Sequence, residues 1–188
     1  KGHARMIKEA ARLIMASERP VIYAGGGILK ARAAEALREL AELIDSYVVT
    51  TLMARGSFPD NHPLCLGMPG MHGNATAVTA MQKSDLLITL GARFDDRITV
   101  KVDAFAQEAK VIHVDIDPAS ISKNIRADVP IVGMLAPVLE DMLALAREAL
   151  AAPDCPLDRG AIADWWRQID QWRQQHGLYT QRRYDLDP

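Results

Sequence analysis

Cysteine is nearly absent from this chain. Its two residues, Cys65 and Cys155, lie far apart in the 188-residue sequence. They form neither a disulfide framework nor a metal-type pair, and a reducing, cytoplasmic setting is the default expectation. A basic surplus is also missing. Lys and Arg number 22 against 24 Asp and Glu, for a net charge of -2, which argues against a nucleic-acid module. No apolar run approaches the ~18 residues of a membrane span. The opening stretch KGHARMIKEAARLIM carries charges throughout, so it reads as a helix and not as a signal peptide. Aromatics make up only 5%, and all three tryptophans (Trp165, Trp166, Trp172) stand near the end. That shift marks a separate tail. What remains, 49% hydrophobic and 24% charged, is the balance of a folded globular domain, not a disordered one.

Hydrophobic spacing predicts a helix over 4–18, stopped at Arg19-Pro20. A short apolar run then leads into Gly25-Gly26-Gly27 and reads as a buried strand. Residues 31–44 read as an amphipathic helix with Leu37, Leu40, Leu43 and Ile44 on its stripe. Val48–Thr51 follows as a strand, then a long irregular stretch over 54–73 rich in glycine and proline. Loops of that length are functional or disordered. A helix is expected over 74–83, strands over 85–91, 110–117 and 129–133, and a helix over 136–151. Alternating strands and helices, with short and continuously apolar strands, predict an α/β fold: a doubly wound parallel sheet with helices on both faces, Rossmann-like. We expect the main domain at 1–151. Residues 152–188 read as a linker and terminal helix leading toward a further domain. The helical start and the Asp187-Pro188 end lead to the expectation of a piece of a longer protein.

In doubly wound sheets, ligands bind beyond the carboxyl ends of the strands. Gly25–Gly27, Thr50–Met53, Gly91–Asp96 and Asp115–Asp117 are thereby singled out. The glycine run is a phosphate cradle or simply a tight turn. The dinucleotide fingerprint wants a third glycine where Lys30 stands, and an acid after the second strand, where Thr50-Thr51 stands. An ordinary NAD dehydrogenase is therefore disfavoured. Arg93 and Arg97 flank Asp95 and Asp96. Two cations beside two acids hold a phosphate and a ribose, or form a surface ion-pair cluster. Asp115 is placed for a ribose hydroxyl, while Asp117 before Pro118 reads as a helix N-cap. In Gly67–Gly73, Met68, Met71 and His72 suit a ring, or else an irregular loop packed under a helix. His113 lies inside a strand and reads as a satisfied core histidine. The tryptophan stripe of the tail helix reads as core or interface packing before a partner helix.

Taken in order, RPVIYAGGG, VVTTLMARGSFPD, LGMPGMHG, SDLLITLGARFDDR and KVIHVDIDP closely resemble the central domain of acetohydroxyacid synthase, the acetolactate synthase large subunit. The resemblance runs from about Arg19 to Gly133. It implies a thiamine-diphosphate-dependent transferase of branched-chain amino acid biosynthesis, which condenses pyruvate with a second 2-keto acid. It implies a flavoprotein whose FAD sits on this domain. Gly25, Gly26 and Gly27 would lie by the phosphates, and Thr51, Leu52 and His72 by the ribityl chain or flavin. Gly91, Ala92, Arg93, Asp95 and Arg97 would lie along the cofactor, and Asp115 and Ile116 at the adenosine half. Met71, Asp96 and Arg97 resemble substrate-channel or inhibitor positions. The family's catalytic glutamate and its motif for diphosphate and magnesium lie in other domains, so no catalytic residue and no metal ligand is expected here. The implied partners are those domains and further copies of the full enzyme, with a regulatory subunit left open and no nucleic acid or membrane. The chain departs from the family at Asp45-Ser46-Tyr47, at Thr99-Val100-Lys101, and at Gly133-Met134, where the family has Gly-Asp. Two alternatives stay open. One is a related thiamine enzyme (glyoxylate carboligase or pyruvate oxidase), and the other is a nucleotide-binding or assembly module that has lost FAD.

Overall fold

Strands form where short apolar runs can be covered on both sides. In the computed structural model, which describes residues 2–70, 73–94 and 105–176, strands β1 (Pro20–Ala24), β2 (Tyr47–Thr50) and β4 (Leu86–Leu90) are buried at every position. Such strands belong inside a parallel sheet, where both faces carry helices. β5 (Lys110–Asp115) is buried through its middle four residues, and β6 (Val129–Val132) alternates buried and exposed. A three-residue strand, β3 (Cys65–Gly67), lies within the stretch expected to be irregular. The sheet is parallel throughout, in the order β3-β2-β1-β4-β5-β6. Strand order reverses between β1 and β4. These two run in register from Pro20↔Leu86 to Ala24↔Leu90, so they end at one level. The Asp85 carboxylate anchors their other ends together. It accepts from the Ser17 hydroxyl at 2.5 Å and from the Glu18 and Arg19 amides at 2.8 and 2.9 Å.

Helix α1 (Ala4–Met15) buries Ile7, Ala10, Leu13 and Ile14. It packs against α5 (Leu135–Ala151), which also packs against α3 (Ala34–Leu43). These three make one layer. On the remaining side, α4 (Ala75–Lys83) packs against β3 and against α6 (Arg159–Gln175). The Rossmann-like expectation therefore holds. The helix expected over 31–44 is α3, starting at Ala34, and a one-turn α2 (Gly27–Lys30) that was not expected precedes it. The break falls at Arg32, whose φ of +52° is left-handed. That conformation costs a side-chain-bearing residue about 1–2 kcal/mol, so nothing local announces it. No helix of the described residues is long and apolar enough to cross a membrane.

The tail helix docks on the sheet. Trp165, Ile162 and Ile169 of α6 are buried. The Trp166 indole N–H donates to the Asp45 carbonyl at 2.8 Å, and its ring lies 5.3 Å from that of Tyr47. Arg173, 8% exposed, reaches the open edge of the sheet. There the Leu64 carbonyl turns inward to accept from the Val48 amide at 2.8 Å. The carbonyls of Pro63 and Cys65 turn outward, and Arg173 Nη2 donates to them at 3.0 and 2.9 Å. Arg173 thus stands in for the strand that the edge lacks. Its guanidinium carbon also lies 5.0 Å from the centre of the Tyr47 ring. Replacing Arg173 by Met leaves both carbonyls without that donor. Urea denaturation should report a loss of about 1–3 kcal/mol, and an unchanged midpoint would remove the edge-closing role.

Candidate functional site

At the switch point the loops after β1 and β4 meet backbone to backbone. The Gly25 amide donates to Leu90 O at 2.9 Å and the Gly27 amide to Gly91 O at 3.1 Å. A Cβ on Gly25 would stand 2.1 Å from Gly91 O and 2.4 Å from Ala92 Cα. On Gly27 it would stand 2.8 Å from Gly91 Cα and 3.0 Å from Leu135 Cδ1. Gly25 and Gly27 are therefore required by this crossing. Gly26 is less crowded, because the atoms nearest a Cβ there belong to Met53, at 3.2 Å and beyond. Of the glycine run, Gly26 alone faces the β2 loop. α2 has only four residues, too few to sum into an appreciable helix dipole.

The other strand ends supply the side chains. Beyond β2, the Thr51 amide donates to Ala24 O at 2.9 Å. The buried Thr51 hydroxyl has no hydrogen-bond partner among the described residues. Leu52 and Met53 follow in a 3-10 turn with their side chains exposed. Beyond β5, Asp115 Oδ1 accepts from the Asp117 amide at 2.9 Å, and Ile116 is exposed. Beyond β6, Met134 is 60% exposed at the position before α5 and gives that helix no side-chain cap. These apolar side chains ring the carboxyl end of the sheet.

Arg93 follows β4. Its neighbours Ala92 and Phe94 are buried, while its own side chain is 69% exposed, with Nη2 3.8 Å from Asp117 Oδ2. Asp117 was expected to cap a helix. It instead accepts from the Ala119 amide at 2.9 Å and the Ser120 hydroxyl at 3.0 Å, within turns over 118–122. These hydrogen bonds hold its carboxyl below the usual range, with a smaller contribution from Arg93. An Asp-Pro pair opens a turn as readily as a helix. His113 is 1% exposed, as the core reading expected, and its Nε2 lies 2.9 Å from Ala92 O. Burial pushes its pKa down from the ordinary histidine value.

The structure thus brings Gly25, Gly26, Gly27, Thr51, Leu52, Gly91, Ala92, Arg93, Asp115 and Ile116 to the carboxyl end of one sheet. Met71, His72, Asp95, Asp96 and Arg97 lie outside the described residues. The loop leading toward the first two starts at β3. Gly67 and Gly70 have φ of +76° and +101° there, and the Asn74 amide closes back on Met68 O at 2.9 Å. Met53 was missed as a site candidate although the strand-end rule reached it, because exposure is invisible in a short irregular run.

The all-parallel sheet and its strand order define a doubly wound, Rossmann-like α/β domain. The chain belongs to the thiamine pyrophosphate enzyme family, whose model for the central domain matches residues 7–142. It is similar to an acetolactate synthase of Mycobacterium avium, 58% identical over 170 residues, covering 90% of this chain and 27% of that protein. It is 56% identical over 143 residues to a probable acetolactate synthase large subunit of Methanocaldococcus jannaschii, covering 76% and 24%. Against acetolactate synthase isozyme 3 large subunit of Escherichia coli K12 the identity is 45% over 172 residues, covering 92% and 29%. The chain thus spans under a third of the length of the relatives it matches.

Gly25→Ala should lower stability by about 1–3 kcal/mol, the range for an overpacked core. Gly26→Ala, at a helical φ of -58° with its tightest contact 3.2 Å from Met53 Cβ, should cost less, about 1 kcal/mol or under. Equal urea midpoints for the two variants would contradict this division. A second expectation concerns pH. The unfolded chain takes up a proton at His113 as the pH falls below about 6.5, while the fold, with its lowered pKa, holds the ring neutral. The stability attached to the neutral ring is complete above that value. It declines as the pH falls toward the folded pKa. His113→Gln should flatten this part of a stability-versus-pH curve.

Proposed function

We propose that this chain is the cofactor-binding middle domain of an acetolactate synthase large subunit, and that it carries FAD and shapes the substrate channel. The observation that carries the reading is the set of groups at the carboxyl end of the sheet. An exposed arginine, an acid and several uncovered apolar side chains follow the strand ends around the crossing of Gly25 and Gly91, where no Cβ fits. The names of the relatives point to the same enzyme.

The residues present fit a flavin dinucleotide. Gly26, with no side chain, lets a pyrophosphate approach its backbone beside the β2 loop. Arg93 offers it a two-pronged donor. Asp115, with one oxygen already accepting from Asp117, has another for a ribose hydroxyl. The unpartnered Thr51 hydroxyl suits a ribityl chain, and Leu52 and Ile116 give apolar cover. His72, Asp95 and Arg97 extend the set, and Met71 and Asp96 line the channel in this reading. Thiamine diphosphate with Mg2+, held by parts of the enzyme this chain does not span, supplies the carbanion chemistry. This domain alone is therefore silent. The remaining domains of the subunit and further copies of it are its partners, in the cytoplasm.

A titration with FAD, read by flavin fluorescence, tests the reading. Saturable quenching is expected, and Arg93→Ala or Asp115→Ala should each weaken it by about 1–3 kcal/mol, the worth of a charge-assisted hydrogen bond. Acetolactate formed from pyruvate by this chain alone, with thiamine diphosphate and magnesium, would falsify its silence. Met134 favours a second reading, an assembly or nucleotide-binding module without flavin, because the resembled family has Asp there. Absence of quenching that Met134→Asp restores would select it.

A further inference from the structure

Arg93 is the one exposed side chain in a segment otherwise buried, and that placement needs the backbone fixed on both sides of it. On the Phe94 side the fixing is plain. The Asn124 side-chain amide donates to Phe94 O. The Phe94 ring lies 5.5 Å from Tyr23 and 6.0 Å from Phe105. On the Ala92 side the fixing group is His113. Its Nε2 meets Ala92 O at 2.9 Å, and its ring meets Phe94 edge-on at 5.8 Å. A carbonyl only accepts, so Nε2 carries the proton and Nδ1 does not. Nδ1 is buried with no hydrogen-bond partner among the described residues. The ring therefore gives one hydrogen bond, and that bond goes to the residue before Arg93.

We propose that His113 is a positioning residue: its Nε2–H, by fixing the Ala92 carbonyl, aims the Arg93 guanidinium into the crevice at the β1/β4 switch point. The ligand it serves is the pyrophosphate of a flavin dinucleotide, and this part rests on the function proposed above. The fixing of the loop does not.

The strand register explains why this position can do it. His113 stands beside Thr89 of β4, two residues before Gly91, and beside Pro130 of β6. Neither neighbour carries a charge. The charged groups nearby among the described residues are Asp115 on the same strand, and Arg93 with its partner Asp117. A second proton would add an N–H at Nδ1, where no acceptor stands among the described residues. Acid therefore loosens this clasp.

Two substitutions separate the donor from the bulk. His113→Gln keeps an N–H near the Nε2 position and cannot titrate. His113→Leu keeps the bulk and has no donor. Amide hydrogen exchange of residues 91–94 is the direct readout, with the α3 amides reporting global folding. At neutral pH, His113→Leu should speed exchange at 91–94 roughly tenfold, as expected for one lost hydrogen bond, with α3 unchanged. His113→Gln should match the parent chain. After correction for intrinsic rates, acidification to about pH 5 should loosen 91–94 in the parent chain but not in His113→Gln. Unchanged exchange in His113→Leu, or the same acid response in His113→Gln, overturns the positioning role. Should His113→Leu fail to fold, the acid contrast alone decides.

FAD titration of the same proteins tests the ligand. His113→Leu should bind FAD roughly tenfold more weakly, following the exchange. Exchange that responds while FAD affinity does not, or Arg93→Ala that binds FAD like the parent chain, overturns the flavin part and leaves the clasp standing.

Discussion

The rest of the structure depends on a backbone contact with no room for a methyl group. Where the loops after β1 and β4 cross, Gly25 and Gly27 lie against Gly91 and Ala92, close enough that a Cβ on Gly25 would fall 2.1 Å from a carbonyl oxygen. The in-register pairing of the two strands delivers both loops to the same height. Leu135, at the start of α5, closes over Gly27 and Gly91. The crossing has a consequence for the site. Its floor is backbone, so in the proposed reading recognition comes from the loop residues around it: Gly26 with Met53, then Arg93, Asp115 and Ile116.

How much of this was legible follows from the physics of each signal. β1, β4 and β5 were plain because two-sided burial makes a strand continuously apolar. β3 was not, because three residues between Pro63 and Met68 carry no period to read. The break at Arg32 was hidden for a different reason, since a left-handed turn normally advertises itself with glycine or asparagine. At the site, Arg93 stood out as a charge at a strand end. The glycine run was read as one motif, although its members divide between packing and access. That division depends on what lies across from each glycine, which is Gly91 for Gly25 and Gly27 and Met53 for Gly26, all distant in the sequence. His113 was rightly read as core, but its hydrogen-bond partner and tautomer leave no local trace.

The tail shows how a charge can be buried without wasting it. Sequestering an arginine is expensive unless its donors are satisfied. Arg173 meets that condition with two edge carbonyls, the Asp170 carboxylate at 3.4 Å and the Tyr47 ring face. One nitrogen serves two carbonyls and another the carboxylate, a geometry that suits a planar guanidinium better than an ammonium. α6 is thereby tied to β3, the strand from which the Gly67–Gly70 loop departs. The tryptophans serve the same end, since the Trp166 indole binds the turn between α3 and β2.

Met134 reveals the character of the crevice. An Asp at that position would accept from the free amides at the start of α5, a cap worth about 0.5–2 kcal/mol. Methionine forgoes it and leaves apolar surface open instead. Leu52, Met53 and Ile116 are exposed in the same way at the ends of β2 and β5. Apolar groups left uncovered at the rim of a strand-end crevice gain about 25 cal/mol for each Å² that a ligand covers. In the proposed reading, affinity at this rim comes mainly from covered apolar area. Direction comes from charged groups, among them Arg93, held between two buried neighbours. Its placement therefore matters to binding. It is the reason a buried histidine on the neighbouring strand can bear on binding without touching the ligand.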